Sequence, residues 1–460
     1  MLLEKREVVS FSRGRISGVP EINLSADQLV SRLLLISKSE PVFILDSCGV
    51  GHLGSHLMIA GVRPKEIVEW VNDDPEQSLH LLDEKLGRDH AAIFTLSYDF
   101  GIKLEPVSSE QTPVGGEPDI FIALFDALLV HDYDSGTTQI VGDAEATVHL
   151  RDLIENHHGH IELDELPSSP AQTVTSNFTK AGYIAAVERI REYIRSGDTY
   201  QTNLTQQLTC DLLPDVSPES IFWRLRRDHP APFSAFLRRP ESTVVSASPE
   251  RFFRVSETGI IEASPIKGTR RRGEDAELDL VLRTELLSSE KDRAENTMIV
   301  DLLRNDLGRV CEFGTVEVTN LCDLEEHPTL FHLVSTIRGS LRAGMKFSDI
   351  LRATFPCGSI TGAPKVRTMD IIAEIEKTCR GLSMGAIGAF FPPGWEWRGS
   401  GVDSVFDVSV AIRTMVIRDN EVVFNVGGGV VIDSDPEKEF EESLLKAQAL
   451  LTALGASYRG

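Results

Sequence analysis

Positive charge and long apolar runs are both scarce in this chain. Lysine and arginine together number 46 against 70 aspartate and glutamate residues, a formal net charge of −24 at pH 7. Because nucleic-acid binding depends on neutralising phosphates with a basic surface, we expect no nucleic-acid partner. No apolar stretch approaches the roughly 20 residues that a bilayer-spanning helix needs. The N-terminus is charged and has no apolar signal core, so we expect a cytoplasmic protein without membrane association.

Closely spaced cysteines and nucleotide-binding motifs are also absent. The six cysteines have no C-x-x-C spacing, which disfavours zinc or thioredoxin-type chemistry and favours reduced thiols. The glycine-rich runs at 427–429 and 359–365 lack the G-x-G-x-x-G order and the phosphate-loop spacing. Nucleotide binding is therefore unsupported, although backbone amides in both runs can still hold a carboxylate.

What remains is the composition of an ordinary globular protein, with 41% hydrophobic and 25% charged residues. Residues 1–165 alternate short apolar runs with turn residues, which predicts a β-rich N-terminal region. The Pro/Ser-rich stretch 166–173 is typical of a connector. Residue types that carry chemistry crowd into residues 176–455, which we predict to be the catalytic region. Antiparallel strands covered by helices favour a mixed α+β fold with an internal cleft.

Capping residues and apolar spacing predict three helices in the catalytic region, at residues 179–197, 289–308 and 434–454. On the last of them Glu439, Glu442 and Lys446 recur at i, i+3 and i+7 and form one polar stripe. Glu295 lies on the polar side of the second. Carboxylates from two helices, together with a substrate carboxylate and water, meet the oxygen-ligand preference of Mg²⁺. Taken alone, each stripe is more often a solvated helix face.

A strand pair around residues 243–264 suggests an acid–amine pair. If Thr258 and Gly259 form a two-residue turn, Glu250 stands directly opposite Lys267, and the two Cβ atoms are about 5 Å apart. The alternative is a cross-strand salt bridge on the surface. A register slip of one residue would place the two side chains on opposite faces.

Seven ordered motifs resemble those of the chorismate-utilising enzymes, a family that includes anthranilate synthase component I, aminodeoxychorismate synthase component I, isochorismate synthase and salicylate synthase. The resemblance is strong over about 176–455 and weak before that. It implies a two-lobed sandwich of antiparallel sheets with outer helices, like anthranilate synthase component I, and a magnesium–chorismate site in the cleft. The motifs are Gly197–Asn203, Ser248–Phe252, Pro265–Arg270, Lys291–Asn296, Asp301–Gly308, Ser359–Lys365 and Glu439–Glu442.

The resemblance also implies roles for individual residues. Glu295 and Glu442 would hold Mg²⁺, with Glu439 close by, and Glu250 would be the general acid at the departing hydroxyl of chorismate. The implied substrate contacts are Gln201, Thr269, His332, Thr361, Arg413, Gly427, Gly428, Gly429 and Lys446.

Two positions distinguish between the reactions of the family. Relatives that add water carry a lysine where this chain has Gln201, and a neutral amide cannot act as the base that activates water. Lys267 stands where anthranilate synthases usually have alanine, and it resembles the covalent nucleophile of aminodeoxychorismate synthases. The resemblance thus implies aminodeoxychorismate synthase component I, in 4-aminobenzoate and folate synthesis. The alternatives are anthranilate synthase component I and a non-catalytic chorismate-binding protein.

The source of ammonia is not apparent in the chain. Glutaminase domains of this pathway need a cysteine in a Gly-x-Cys-x-Gly turn, whereas Cys48 is flanked by Asp46 and Val50 at the two glycine positions. We therefore expect ammonia from a separate glutaminase subunit, in a heterodimer.

Overall fold

The computed structural model describes residues 22–51, 56–87, 90–107, 109, 111, 115–159, 161, 172–326, 330–392, 395 and 404–458. The predicted connector at 166–173 lies outside these residues apart from its last two. Within the described residues the helices are α1 (Ala26–Ile36), α2 (Pro75–Lys85), α3 (Tyr98–Leu104), α4 (Ala144–Asn156), α5 (Lys180–Arg195), α6 (Pro218–Asp228), α7 (Ala276–Ser288), α8 (Glu290–Gly308), α9 (Phe347–Thr354), α10 (Lys365–Ile375) and α11 (Pro436–Leu454), with a short 3₁₀ helix at Gly358–Ile360.

The strands of the same residues alternate with these helices along the chain. They are β1 (Val42–Asp46), β2 (Leu57–Val62), β3 (Glu66–Trp70), β4 (Ala91–Leu96), β5 (Ile120–Phe125), β6 (Ala127–Asp132), β7 (Thr137–Gly142), β8 (Gln172–Ser176), β9 (Gln201–Asp211), β10 (Phe233–Arg238), β11 (Thr243–Ser248), β12 (Arg251–Ser256), β13 (Ile260–Ala263), β14 (Ile266–Arg271), β15 (Glu317–Glu326), β16 (Leu330–Ser340), β17 (Gly362–Ala363), β18 (Ala386–Phe390), β19 (Ser404–Val410), β20 (Thr414–Arg418), β21 (Glu421–Val430) and β22 (Ala456–Tyr458).

The strands form two large sheets. The first has the order β22-β8-β9-β21-β20-β11-β10-β1-β2-β6-β7, with β17 beside β9. The second has the order β14-β16-β13-β12-β19-β18-β4-β5-β3, with β15 beside β16. Neighbouring strands pair antiparallel, except that β22 runs parallel to β8. Each sheet contains strands from both sides of the predicted boundary at 165–176, and the division of the chain into two regions there stays a prediction.

Apolar side chains form three layers around the sheets. The middle layer joins the facing sheets through residues such as Phe43 and Leu237 of the first and Phe121 and Ile387 of the second. Helices α1, α4, α6 and α11 cover the outer face of the first sheet, and α2, α3, α8 and α9 cover the outer face of the second. The predicted α+β sandwich with outer helices is confirmed. None of the helices in the described ranges has the length and apolar composition needed to cross a bilayer.

The three predicted helices are confirmed as α5, α8 and α11, because their end signals are local. The Thr179 hydroxyl accepts a hydrogen bond from the backbone N–H of Gly182, and Ser289 caps α8 in the same way. Asp435 caps α11, Pro436 is its first residue, and the helix ends at Gly455 in the left-handed conformation, at φ 67°.

The predicted register of the β12–β13 hairpin is wrong by one residue. Val255 pairs with Ile261, so the loop has three residues rather than two. The Ser256 side chain stabilises this loop by accepting the N–H of Ile260 at 3.0 Å. The chain then bends at Pro265, which lacks an N–H for the ladder, and β14 pairs with β16 instead of β12. Strand pairing therefore does not bring Glu250 and Lys267 together.

Candidate active site

The glycine run in β21 lies directly against the polar stripe of α11. A β-carbon on Gly428 would lie 3.2 Å from Nζ of Lys446, 3.4 Å from Oε2 of Glu439 and 3.7 Å from Oε1 of Glu442. The three predicted site residues of the helix therefore meet at the backbone of Gly428, where a β-carbon would require the end of Lys446 to move by a few tenths of an ångström.

Hydrogen bonds hold these side chains in place. The Lys446 ammonium donates to the carbonyl oxygen of Gly427 at 3.1 Å and pairs with Oε1 of Glu442 at 2.8 Å. Partial burial raises the pKa of Glu442, but the charge and hydrogen bond of Lys446, together with the charges of Lys291 and Lys267, outweigh this effect, and the pKa is lowered overall. Burial raises the pKa of Glu439, although the Ser434 hydroxyl donates to its Oε1 at 2.6 Å.

Glu295 of α8 interacts electrostatically with this group. Burial raises its pKa, and the negative charge of Glu439 contributes in the same direction. Lys267 and Lys291 act in the opposite direction, and Nζ of Lys291 lies 3.8 Å from Oε1 of Glu295. The carboxylates of α8 and α11 therefore share one electrostatic environment, as their predicted common role requires.

Glu250 and Lys267 lie close enough to interact electrostatically, even though their predicted pairing is wrong. Glu250 sits between β11 and β12 and is only 8% exposed. Burial raises its pKa, against the opposing effects of Lys267, of a hydrogen bond with Ser359 and of Lys446. Lys267 also lowers the pKa values of Glu295 and Glu442. The charge of Lys267 thus acts on carboxyl groups from three separate segments of the chain.

Gln201 opens β9 and is fully buried. Neither atom of its side-chain amide has a hydrogen-bond partner among the described residues. A β-carbon on Gly429 would lie 2.6 Å from the Gln201 Nε2, so the amide faces the glycine run. An unpaired buried amide is unfavourable by about 1–3 kcal/mol. This position is therefore suited to a polar ligand.

The other four predicted substrate contacts lie in different environments. Thr269 and His332 pair across β14 and β16, with 2.8 Å between Oγ1 and Nδ1. The Thr361 hydroxyl is buried and donates to the carbonyl oxygen of Cys357 at 3.0 Å, so it stabilises its own loop. Arg413 follows β19 at φ 49°, and burial lowers its pKa. In the described part of the chain no carboxylate pairs with its guanidinium, which suits a substrate carboxylate.

The basic run after Lys267 is engaged in structural ion pairs. Arg270 pairs with Glu285 at 2.9 Å and with Asp292 at 3.2 Å. Arg272 pairs with Asp279 at 2.7 Å. These contacts fasten β14 to α7 and α8.

The carboxylates fit Mg²⁺ in chemistry, although they do not form a closed metal cage. No set of three acidic, histidine or cysteine side chains in the described ranges is close enough to enclose a metal ion. Mg²⁺ prefers carboxylate oxygens and usually keeps several ligand positions for water and substrate. Glu295, Glu439 and Glu442 supply such oxygens from two facing helices, and a bound substrate carboxylate would complete the set.

Sequence reasoning missed two residues of this site, Lys291 and Ser359. Lys291 of α8 lowers the pKa values of Glu439 and Glu442 of α11, and a hydrogen bond with Ser359 lowers the pKa of Glu250. Both lie inside motifs that mark the resemblance, and that position was the only signal for them.

The antiparallel sandwich thus gathers carboxylates, a lysine and an unpaired buried amide around one glycine-rich strand, and such groups are suited to binding a small charged molecule. The comparisons with known proteins supply the family. Residues 41–452 match the family model of the chorismate binding enzymes. The chain belongs to this family, as its motifs predict.

Individual relatives carry two different names. The chain is 38% identical over 379 residues to aminodeoxychorismate synthase component 1 of Bacillus subtilis (strain 168), covering 80% of this chain and 77% of that protein. It is 37% identical over 428 residues to an anthranilate synthase component 1 of Haloarcula marismortui, covering 86% and 82%. The solved anthranilate synthase component I from Streptococcus pneumoniae TIGR4 has a TM-score of 0.72 at 27% identity, covering 86% of this chain and 92% of that one. Overall similarity therefore does not distinguish the two activities.

Proposed function

We propose that the chain is the chorismate-aminating component of an aminodeoxychorismate synthase, which converts chorismate and ammonia to 4-amino-4-deoxychorismate for 4-aminobenzoate and folate synthesis. The observation that carries the proposal is the place of Lys267, whose charge acts on Glu250, Glu295 and Glu442. Among the described residues the Lys267 amine has no hydrogen-bond or ion-pair partner, so it is available to react with a bound substrate.

The reaction runs in two substitutions. Neutral Lys267 forms a bond from Nζ to carbon 2 of chorismate, the two ring double bonds shift, and the bond from carbon 4 to its hydroxyl oxygen breaks. Protonated Glu250 gives its proton to that oxygen, so that water leaves. Ammonia then adds at carbon 4, the double bonds shift back, and the bond from carbon 2 to the secondary ammonium nitrogen breaks, so that Lys267 departs as a neutral amine. The new ammonium group at carbon 4 gives a proton to the Glu250 carboxylate, which restores the acid. The enolpyruvyl group stays attached.

The environment of Glu250 supports the role of general acid. Burial raises its pKa, so the carboxyl keeps its proton to higher pH than an exposed glutamate does. Activity is then present below that pKa and declines as pH rises through it.

Glu295 and Glu442 would hold Mg²⁺, with Glu439 beside them. When bound, the ion supplies a Lewis-acidic anchor for a substrate carboxylate. Arg413 and the amides of the glycine run are available to bind the remaining negative charge, and Lys446 and Gln201 lie beside Gly428 and Gly429 of that run.

Ammonia would come from a separate glutaminase subunit. Burial raises the pKa of the Cys48 thiol, and the Asp46 carboxylate raises it further. A thiol held in its protonated form is a weak nucleophile, which disfavours Cys48 as a glutaminase nucleophile.

Product analysis tests the proposal. The purified chain is incubated with chorismate, Mg²⁺ and an ammonium salt, and the products are separated and weighed by mass spectrometry. Aminodeoxychorismate is expected, and an added aminodeoxychorismate lyase should convert it to 4-aminobenzoate. Release of pyruvate with fluorescent anthranilate would instead establish anthranilate synthase, the second candidate, which the likeness to proteins of that name favours. Chorismate binding without turnover would indicate a non-catalytic protein.

A further inference from the structure

Residues Cys357–Pro364, here called the clamp loop, connect α9 to α10 and bridge two walls of the site. A β-carbon on Gly358 would lie 2.4 Å from Cδ2 of Leu302 on α8, and one on Gly362 would lie 2.0 Å from the carbonyl oxygen of Gln201 on β9. The loop thus fits tightly against the helix that carries Glu295 and the strand that carries Gln201.

A buried ion pair joins the end of this loop to α8. Nζ of Lys365 donates to Oδ2 of Asp306 at 2.7 Å and to the carbonyl oxygen of Thr354 at 2.8 Å. Lys365 is 7% exposed and Asp306 is 3% exposed. Burying two charges requires their desolvation, and apolar residues of similar size are often at least as stabilising. Stability alone therefore does not account for this pair, whereas a need for one defined geometry does.

A second buried pair holds the other side of the loop. Arg380 bonds to Glu376 at 2.7 Å and donates to the carbonyl oxygens of Ile360 at 2.9 Å and Asn203 at 2.7 Å. Glu376 in turn accepts the N–H of Thr205 at 2.7 Å. The loop is consequently tied to β9 by Arg380 and to α8 by Lys365, so neither wall can shift relative to the other without breaking a buried charged contact.

We propose that Asp306 and Lys365 are positioning residues for the chemical step, which hold the clamp loop and its Ser359 in place between α8 and β9. The loop acts on the proton donor because a hydrogen bond with Ser359 lowers the pKa of Glu250. Ser359 is 4% exposed and its hydroxyl lies 3.3 Å from the Cys357 thiol at the start of the loop. The other groups that act on Glu250 are the ammonium groups of Lys267 and Lys446. They belong to β14 and α11, which the ion pair does not touch. The assignment rests on the proposed function only for the role of Glu250.

The test replaces the ion pair with apolar residues in the double variant Asp306→Leu/Lys365→Met. The matched control is Glu117→Leu/Arg239→Met, because that buried pair has a similarly short contact, 2.8 Å, away from the loop. Thermal unfolding, KM, kcat and the pH profile are measured for both.

We expect the Asp306→Leu/Lys365→Met variant to fold, to lose at least tenfold in kcat, and to show its alkaline decline in activity at higher pH. The decline should move to higher pH because the Ser359 hydrogen bond lowers the pKa of Glu250, and losing it raises that pKa. Ser359→Ala should reproduce the shift, and the control should not.

A folded Asp306→Leu/Lys365→Met enzyme with the wild-type kcat and pH profile would overturn the proposal. If that variant does not fold, Ser359→Ala carries the test, since it removes the hydroxyl through which the clamp loop acts on Glu250, and an unchanged kcat and pH profile in it would overturn the proposal. The comparison uses whichever aminated product the wild type forms. Anthranilate as that product would therefore refute the proposed function and leave this test intact.

Discussion

A β-carbon on Gly428 of β21 would lie 3.2 Å from Nζ of Lys446 on α11, which is closer than most such contacts in proteins. The glycine thus sets how near the helix can bring its charged side chains to the strand. Lys446 also donates to the neighbouring carbonyl of Gly427 and pairs with Glu442. A displacement of the Lys446 side chain is therefore transmitted to Glu442, a predicted metal ligand.

Gly428→Ala tests this relationship. The added methyl group should displace the ends of Lys446 and Glu439, and kcat/KM should fall roughly 10²-fold, as it does when catalytic groups shift by about 1 Å. Stability should change by only about 1 kcal/mol, because the neighbours are flexible side-chain ends. Gly308→Ala is the control, since a β-carbon there meets nothing within 4 Å. Steady-state kinetics and denaturant unfolding check both, and an equal loss of activity in the two variants would contradict the prediction.

Glu250→Gln should separate activity from stability. The variant loses the proton donor, so kcat should fall by about 10²–10⁴-fold. Burial raises the pKa of Glu250 in the folded state, so this group stabilises the fold below its ordinary pKa and that contribution is lost as pH rises. Each unit of the shift opposes folding by about 1.4 kcal/mol at neutral pH. The glutamine variant should therefore be more stable than the wild type at pH 7 and not at pH 4.

The control for Glu250 is Glu257→Gln, in the exposed hairpin loop, which should change neither quantity. Kinetics and urea unfolding at the two pH values provide the measurement. A Glu250→Gln enzyme with full activity, or one destabilised at neutral pH, would argue against a buried proton donor.

Magnesium binding should depend on Glu295 and Glu442. Replacing either with glutamine removes a charged oxygen ligand, so activity should fall sharply and binding of Mn²⁺, followed by electron paramagnetic resonance, should weaken at least tenfold. Glu441→Gln is the matched control, because Glu441 is exposed and adjoins Glu442 in α11. Full activity of the wild type or of both variants in the presence of a chelator would exclude this assignment.

Lys267 should carry a covalent adduct when ammonia is withheld. Incubation with chorismate and Mg²⁺, followed by mass spectrometry of the peptide, should show an amine-linked product at Lys267 and none at the exposed Lys438. Lys267→Ala should remove the covalent route, with residual activity from direct addition of ammonia because the other groups remain. An unmodified Lys267 in enzyme that makes aminodeoxychorismate at the normal rate would leave this residue at most an electrostatic role.

Glutamine alone should not support the reaction. Because Cys48 is held protonated by burial and by Asp46, it should react slowly with thiol reagents, and Cys48→Ser should retain the full ammonia-dependent rate. Ammonium salts at alkaline pH, or an added glutaminase subunit, should supply the nitrogen. Product formed from glutamine by the purified chain, and lost in Cys48→Ser, would reverse this conclusion.

Local signals in the sequence were sufficient where the interaction itself is local. The ends of α5, α8 and α11 follow from Thr179, Ser289 and Asp435, since a cap acts on backbone groups two or three residues away. The helical repeat likewise placed Glu439, Glu442 and Lys446 on one stripe. The ordered motifs were sufficient to identify the family, because a motif match compares residue identities and requires no knowledge of which residues are in contact.

Contacts between distant segments were decided only by the tertiary structure. The register of β12 and β13 depends on the side chain of Ser256 and on the bend at Pro265, and a single-residue difference in loop length reverses which face a strand residue occupies. The sequence by itself determined which side chains can act. The tertiary structure decided their protonation and their neighbours, because burial of Glu250 and the approach of α11 to Gly428 arise only when the sheets and helices pack together.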